Sequence, residues 1–132
     1  MTVRVAMFTL LVDDYERGIA FYRDALGLRL IEDADMGGGK RWVVLEGAGG
    51  SRMLLAKAVG PAQTAAVGNQ TGGRVGFFLE TDDFARDHAA FTARGVRFVE
   101  EPRREDYGMV CVFEDLYGNR WDLIGRSQGG RT

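Results

Sequence analysis

The sequence repeats its own pattern after 68 positions, and this repeat constrains the possible folds more than any other feature. Two stretches, Asp13 to Gly27 and Asp82 to Gly95, each open with an Asp-Asp pair and close at a glycine. Between these ends, apolar residues recur every three or four positions, which is typical of one face of a helix. Acidic residues at the start and a glycine at the end suit helix termini. Two copies with so long a period indicate a duplicated unit and not a solenoid.

Strand-like runs flank both predicted helices in the same order, one run before the helix and three after it. In the first repeat they are Val5–Val12, Leu28–Asp33, Arg41–Glu46 and Ser51–Lys57, and in the second Val75–Glu80, Val96–Glu101, Gly108–Glu114 and Asn119–Ile124. The pattern predicts one α+β domain over residues 1–132, made of two tandem βαβββ repeats at about 3–58 and 74–126. The linker, about 59–73, is long enough to hold a short helix or to act as a functional loop.

Composition places the chain among single globular domains and excludes several partners. The chain has 132 residues, of which 45% are hydrophobic and 27% charged. A formal charge of −2 leaves no basic surplus for nucleic acid or an anionic membrane. The single cysteine, Cys111, cannot form an intrachain disulfide. Residues 1–11 lack the pattern of a signal peptide or a membrane span, so we expect a reducing, cytoplasmic location.

Two stretches carry a resemblance to a known family. Phe21–Leu28 reads FYRDALGL and Asp115–Leu123 reads DLYGNRWDL, and together with the repeat order they resemble the vicinal oxygen chelate superfamily. This superfamily includes glyoxalase I, extradiol dioxygenases, fosfomycin resistance enzymes and bleomycin-resistance proteins. The resemblance implies that each four-stranded sheet curves into a half-barrel around a central cup. It also implies a homodimer, and in the enzymes a divalent metal in the cup.

The resemblance also implies where such a metal would be held. It places the four ligand positions on Met7, Leu54, Gly76 and Asp122, and only Asp122 offers an oxygen donor suited to a hard dication. The one histidine, His88, falls on the apolar stripe of the second helix, where packing is expected. We therefore predict no metal and no other cofactor, since three of the four family positions carry unsuitable residues.

Asp122 is the candidate catalytic residue. Trp121 and Leu123 alternate with it along a predicted strand, so its side chain should face the cup. Burial among apolar groups would raise its pKa, and it could then act as a general base or anchor a ligand by hydrogen bonds. The alternatives are a carboxylate paired with Arg120 or Arg52, or a relic of an ancestral ligand.

The predicted pocket combines apolar, aromatic and polar side chains, which suit a flat or apolar ligand. Its members are Met7, Thr9, Trp42, Leu54, Gly76, Phe78, Glu80, Tyr107, Met109 and Asp122. The alternative is that the large ones only fill the core and that Thr9 and Glu80 lie at solvated strand ends. Cys111 is predicted to be a small buried side chain, while Arg103, Arg104 and the tail over 126–132 are predicted to be solvated.

Three functions follow from these residues and the resemblance. The first is a binding protein of the bleomycin-resistance type that holds a small, flat or aromatic molecule without metal. The second is a metal-free lyase or isomerase in which Asp122 or Glu80 acts as acid or base. The third is a metal-dependent glyoxalase or dioxygenase with atypical ligands.

Overall fold

The predicted βαβββ order is present twice in the computed structural model, which describes residues 2–127. The chain divides into two compact units, with the boundary between Val67 and Gly68. Each unit carries its own mixed sheet with two open edges. The α+β class is therefore confirmed. Of the tail that the sequence predicts to be solvated, residues 128–132 lie outside the described residues.

The first unit has a four-stranded sheet. Its elements are β1 (Phe8–Val12), α1 (Tyr15–Ile19, followed by a π-helical stretch Ala20–Ala25), β2 (Arg29–Gly37), β3 (Lys40–Glu46), β4 (Arg52–Lys57) and α2 (Gly60–Ala66). The strand order is β1-β4-β3-β2, with β1 parallel to β4 and the other pairs antiparallel. The short helix α2 occupies the predicted linker, where Pro61 lies in its first turn, a position that tolerates a missing N–H.

Helix α1 is fixed by a local cap and by its apolar stripe. The Asp14 carboxylate accepts the backbone N–H of Arg17 at 3.0 Å, which satisfies one of the free donors at the helix start. Tyr15, Ile19 and Tyr22 are buried, as their spacing predicts. The helix side of the sheet is thus core, and functional side chains must be sought on the opposite side, here called the far face of the first sheet.

The second unit has a five-stranded sheet. Its elements are β5 (Val75–Thr81), α3 (Phe84–Ala93), β6 (Arg97–Phe98), β7 (Arg103–Glu105), β8 (Gly108–Glu114) and β9 (Arg120–Arg126). The order is β5-β9-β8-β6, and β7 also pairs with β8. Helix α3 packs through Phe91 against Phe113, which stacks on Trp121. The far face of the second sheet is the side turned away from these aromatic residues.

One strand of the second repeat differs from the prediction. A continuous strand was expected over Val96–Glu101, but β6 ends at Phe98. The Val99 N–H still donates to the Val112 carbonyl at 2.9 Å, and strand pairing with β8 resumes at Arg103. The break has two physical causes. Pro102 has no N–H to give to a ladder, and the Glu100 carboxylate itself accepts the N–H of Val112 at 2.9 Å. A side chain therefore replaces the backbone at this point of the sheet.

The helices are short and serve packing. His88 on α3 lies between the rings of Phe84 and Phe98, with ring centroids 5.6 and 4.2 Å away, so it packs as the sequence predicts. None of the helices within residues 2–127 has the length and apolarity needed to cross a lipid bilayer. The cytoplasmic location remains a prediction.

Candidate functional site

Asp122 lies in the middle of β9 on the far face of the second sheet. Its neighbours Trp121 and Leu123 are buried on the helix side, so alternation turns Asp122 the other way. The residues opposite it on the adjacent strands are Phe78 of β5 and Val112 of β8. The carboxylate is thus placed between two apolar side chains.

This environment changes the chemistry of the carboxyl group. Burial raises the pKa of Asp122, the positive charge of Arg103 opposes that rise, and the negative charge of Glu100 adds to it. The Oδ1 atom is buried and has no hydrogen-bond partner among residues 2–127. An orphan buried acceptor is costly, so it marks a position where a donor from outside the chain would be favourable.

The arginine partners proposed for Asp122 are engaged elsewhere. Arg120 pairs with Glu114 at 3.6 Å, and Arg52 pairs with Glu46 at 3.1 Å. Within the described part of the second unit, Asp122 forms no ion pair with Arg120.

Arg103 and Glu100 are site residues that the sequence analysis missed. Arg103 is exposed, as the sequence predicts, and it also lies on β7 opposite Val110, where its charge reaches Asp122. It forms ion pairs with Glu100 at 3.0 Å and with Glu105. Arg103 and Glu100 lie near Asp122 because β7 pairs with β8 after Pro102, and the sequence pattern does not predict this pairing.

Arg126 links Glu80 and Tyr107 at another position of the second unit. Glu80 forms an ion pair with Arg126, and the Arg126 guanidinium lies 5.8 Å from the centre of the Tyr107 ring. Glu80 faces the same way as Asp122, since their register partners on β9 and β5 are two residues apart. Its ion pair makes it a weaker candidate than Asp122 for a general base.

The first sheet brings three predicted pocket residues to its far face. Thr9 and Val44 both lie opposite Leu54, and Trp42 is two positions from Val44 on the same strand. The Trp42 indole donates to Glu32 at 3.2 Å, which fixes the ring. This surface is apolar with a polar edge.

The other predicted pocket residues are placed less favourably. Met7 directly precedes β1 and is partly exposed. Met109 lies opposite Gly125, three positions from Val112, so its side chain points away from the face that carries Asp122. The expectation that Met109 lines the same surface is corrected, because the register of β8 puts it on the helix side.

A cleft of about 480 Å³ lies outside the predicted pocket, at the hairpin between β2 and β3. It is lined by Asp33, Asp35, the three glycines at 37–39 and Arg41. Arg41 is bound to Asp33 and to Glu16, each at 2.7 Å, so its charge is already neutralised. Because the charge of Arg41 is paired within the cleft, this cleft is a weaker candidate for a functional site than the surroundings of Asp122.

Comparison with known proteins assigns the chain to a family. Residues 4–123 match the model described as glyoxalase/bleomycin resistance protein/dioxygenase superfamily. The chain belongs to this superfamily. An uncharacterized protein of Shewanella frigidimarina (strain NCIMB 400) is 47% identical over 127 residues, covering 94% of each chain.

Two solved structures are similar to this chain over nearly its whole length. The crystal structure of UcmS2 has a TM-score of 0.80 and 26% identity, covering 94% of this chain and 98% of that one. TnmS3, described as an antibiotic binding protein from Streptomyces sp. CB03234, has a TM-score of 0.76 and 26% identity, covering 96% and 99%.

The residues at the positions that the resemblance assigns to the metal of the family's enzymes do not suit a divalent cation. Leu54 and Gly76 stand at two of these positions, and neither residue has a side-chain oxygen, nitrogen or sulfur atom. A Cβ on Gly76 would lie 2.2 Å from a methyl carbon of Thr71. A metal-binding side chain such as histidine could therefore stand at this position only if Thr71 moved. Within residues 2–127, no three His, Cys, Asp or Glu side chains are grouped closely enough to hold an ion.

Cys111 is expected to be an unreactive thiol. Its sulfur is buried and lies 3.1 Å from the Glu100 carbonyl, and burial raises the pKa of the thiol to about 11. Because the thiolate is the reactive form, the native protein at pH 8 should react with a disulfide reagent about 100-fold more slowly than a free thiol. Stopped-flow absorbance checks this, with urea-unfolded protein as the control. A native rate equal to the unfolded rate would contradict it.

Proposed function

We propose that this protein binds a small, flat or aromatic organic molecule without using a metal. The observation that carries the proposal is the half-buried Asp122 carboxylate, with an orphan oxygen, beside the exposed ring of Phe78. Pockets for small molecules combine apolar walls with a few convergent polar groups. The similarity to TnmS3, itself described as an antibiotic binding protein, supports the same class of function.

The absence of a metal is part of this proposal. The donor set at the family positions is one carboxylate, and Thr71 fills the space beside Gly76. Dications of the kind found in these enzymes need several oxygen or nitrogen ligands. Asp122 would therefore act as a hydrogen-bonding group toward the bound molecule.

A second candidate is a metal-free lyase or isomerase with Asp122 as general base. The raised pKa of Asp122 favours it, because a base whose pKa lies closer to neutrality exchanges protons more efficiently. Asp122→Asn separates the candidates. If the protein is an enzyme, the Asp122→Asn variant should still bind substrate but lose turnover. If it is a binding protein, the substitution should change only the affinity for the ligand.

The test combines metal analysis with a ligand screen. Purified protein is incubated with Mn, Fe(II), Co, Ni and Zn salts, dialysed and analysed by mass spectrometry, and we expect no stoichiometric retention. Thermal-shift screening of aromatic metabolites and antibiotics should then give hits that EDTA does not abolish. Stoichiometric metal that is lost in Asp122→Ala would overturn the metal-free proposal. Product analysis of each hit distinguishes binding from turnover.

We propose further that β1 pairs with a second copy of the chain. β1 is the edge strand of its sheet, and Val3, Val5 and Phe8 are more than two-thirds exposed at or just before it. An apolar edge of this kind is a template for strand pairing. Light scattering should give twice the 14.6 kDa chain mass, and Phe8→Glu should give a monomer. Met36→Glu, at an exposed hairpin residue, is the control and should stay dimeric; a monomeric wild type would contradict the proposal.

A further inference from the structure

The unsatisfied oxygen of Asp122 restricts what a ligand must bring. Its Oδ1 accepts no hydrogen bond from residues 2–127, although it is buried. A carboxylate is an acceptor only, so a ligand oxygen with no hydrogen would leave it unsatisfied. A group that donates hydrogen bonds is required, and a positively charged donor gains most from a partly desolvated carboxylate.

The charges around Asp122 also favour a cation. Arg103 is the cation whose charge reaches Asp122, but its guanidinium is bound to Glu100 and Glu105. Glu100 is held in place by the Val112 N–H, and Val112 lies opposite Asp122. Three carboxylates thus share one guanidinium, and the local charge is negative. An anionic ligand would be repelled here.

The ring of Phe78 supplies the apolar half of the site. Phe78 lies directly opposite Asp122 on the neighbouring strand and is 63% exposed. Neighbouring strands of a sheet lie about 4.8 Å apart, so these two side chains are neighbours on the same face. A cation held by the carboxylate would therefore lie beside the aromatic ring, where cation–π attraction adds to the ion pair.

We propose that Asp122 and Phe78 form a subsite for a protonated amine attached to a flat ring system, the amine on the carboxylate and the ring against Phe78. This deepens, and rests on, the proposed binding of a small molecule. The Arg103 guanidinium is bound to Glu100 and Glu105, so it does not occupy the Oδ1 atom of Asp122.

The test uses three probes that differ only in the group on one ring. They are 2-naphthylmethylamine, which is cationic, 2-naphthylmethanol, which is neutral, and 2-naphthoate, which is anionic. Each is titrated into ¹⁵N-labelled protein at pH 7, and the shifts of backbone amides give the position and the dissociation constant. We expect the amine to bind at β5 and β9 about tenfold more tightly than the alcohol, and naphthoate to cause no shifts there.

Two variants and one control make the result specific. Asp122→Asn should make the affinities for the amine and the alcohol equal. Phe78→Ala, at an exposed position, should lower the affinity for both probes by a similar factor. Asp24→Asn makes the same chemical change at an exposed pair with Arg23 and should alter neither affinity. Melting curves establish that each variant is folded.

The outcomes separate this inference from the proposed function. Equal binding of amine and alcohol by the wild type overturns the amine subsite but leaves small-molecule binding supported. Preference for the amine that survives in Asp122→Asn also overturns it, because another group would then hold the charge. If neither these probes nor any compound of the thermal-shift screen binds, both proposals fail.

Discussion

Gly68→Ala should destabilise the protein more than any other single methyl group added to the linker. Gly68 has a φ of +78°, and a Cβ built on it would lie 2.0 Å from the Tyr117 carbonyl oxygen. The positive φ costs a non-glycine residue about 1–2 kcal/mol, and the clash is with backbone that cannot rotate away. We expect a total loss of roughly 2–5 kcal/mol in the free energy of unfolding. Urea unfolding followed by tryptophan fluorescence measures it.

Gly72→Ala separates the cost of the positive φ from the cost of the steric clash. Gly72 has a similar φ of +70°, but nothing lies within 4 Å of the position where its Cβ would be. This variant should lose only the conformational part, about 1–2 kcal/mol. Equal losses in the two variants would show that the contact between Gly68 and Tyr117 carries no energy of its own.

Asp115→Ala should cost about 3 kcal/mol, because it removes the acceptor of a buried turn. Asp115 is 6% exposed, and its carboxylate accepts the N–H groups of Tyr117 and Asn119 and the side-chain amide of Asn119, each at 2.9 Å. The turn joins β8 to β9, so it also sets the register in which Val112 lies opposite Asp122. Chemical denaturation gives the change in stability, and the amide shifts of β9 report the register.

Asp82→Ala serves as the control for this substitution. Asp82 lies beside the start of α3 with its side chain 87% exposed, and it pairs with Arg86 on the surface. Exposed ion pairs contribute little, so the loss should stay within about 1 kcal/mol. A loss as large as that of Asp115→Ala would mean that removal of any aspartate near an element boundary is equally harmful, whether or not the aspartate is buried.

The candidate site was only partly accessible from the sequence. Alternation along β9 is a local property, so the sequence could predict that Asp122 faces away from Trp121 and Leu123. The neighbours of Asp122 are set by strand register, and Phe78 was placed in the pocket without knowledge that it lies directly opposite. Arg103 is exposed, as predicted, but its influence on Asp122 was not predicted, because its neighbourhood in the sequence is a mixture of acidic and basic residues.

The sequence by itself determined the duplicated βαβββ order, the positions of both main helices and the packing roles of His88 and Cys111. These properties depend on the spacing of apolar residues and on helix caps, which involve residues close to one another in the sequence. Only the tertiary structure decided that Glu100 replaces a backbone partner of Val112, and that Arg103 is bound by two glutamates. Contacts of this kind join residues on different strands, and a one-residue change of register would alter every one of them.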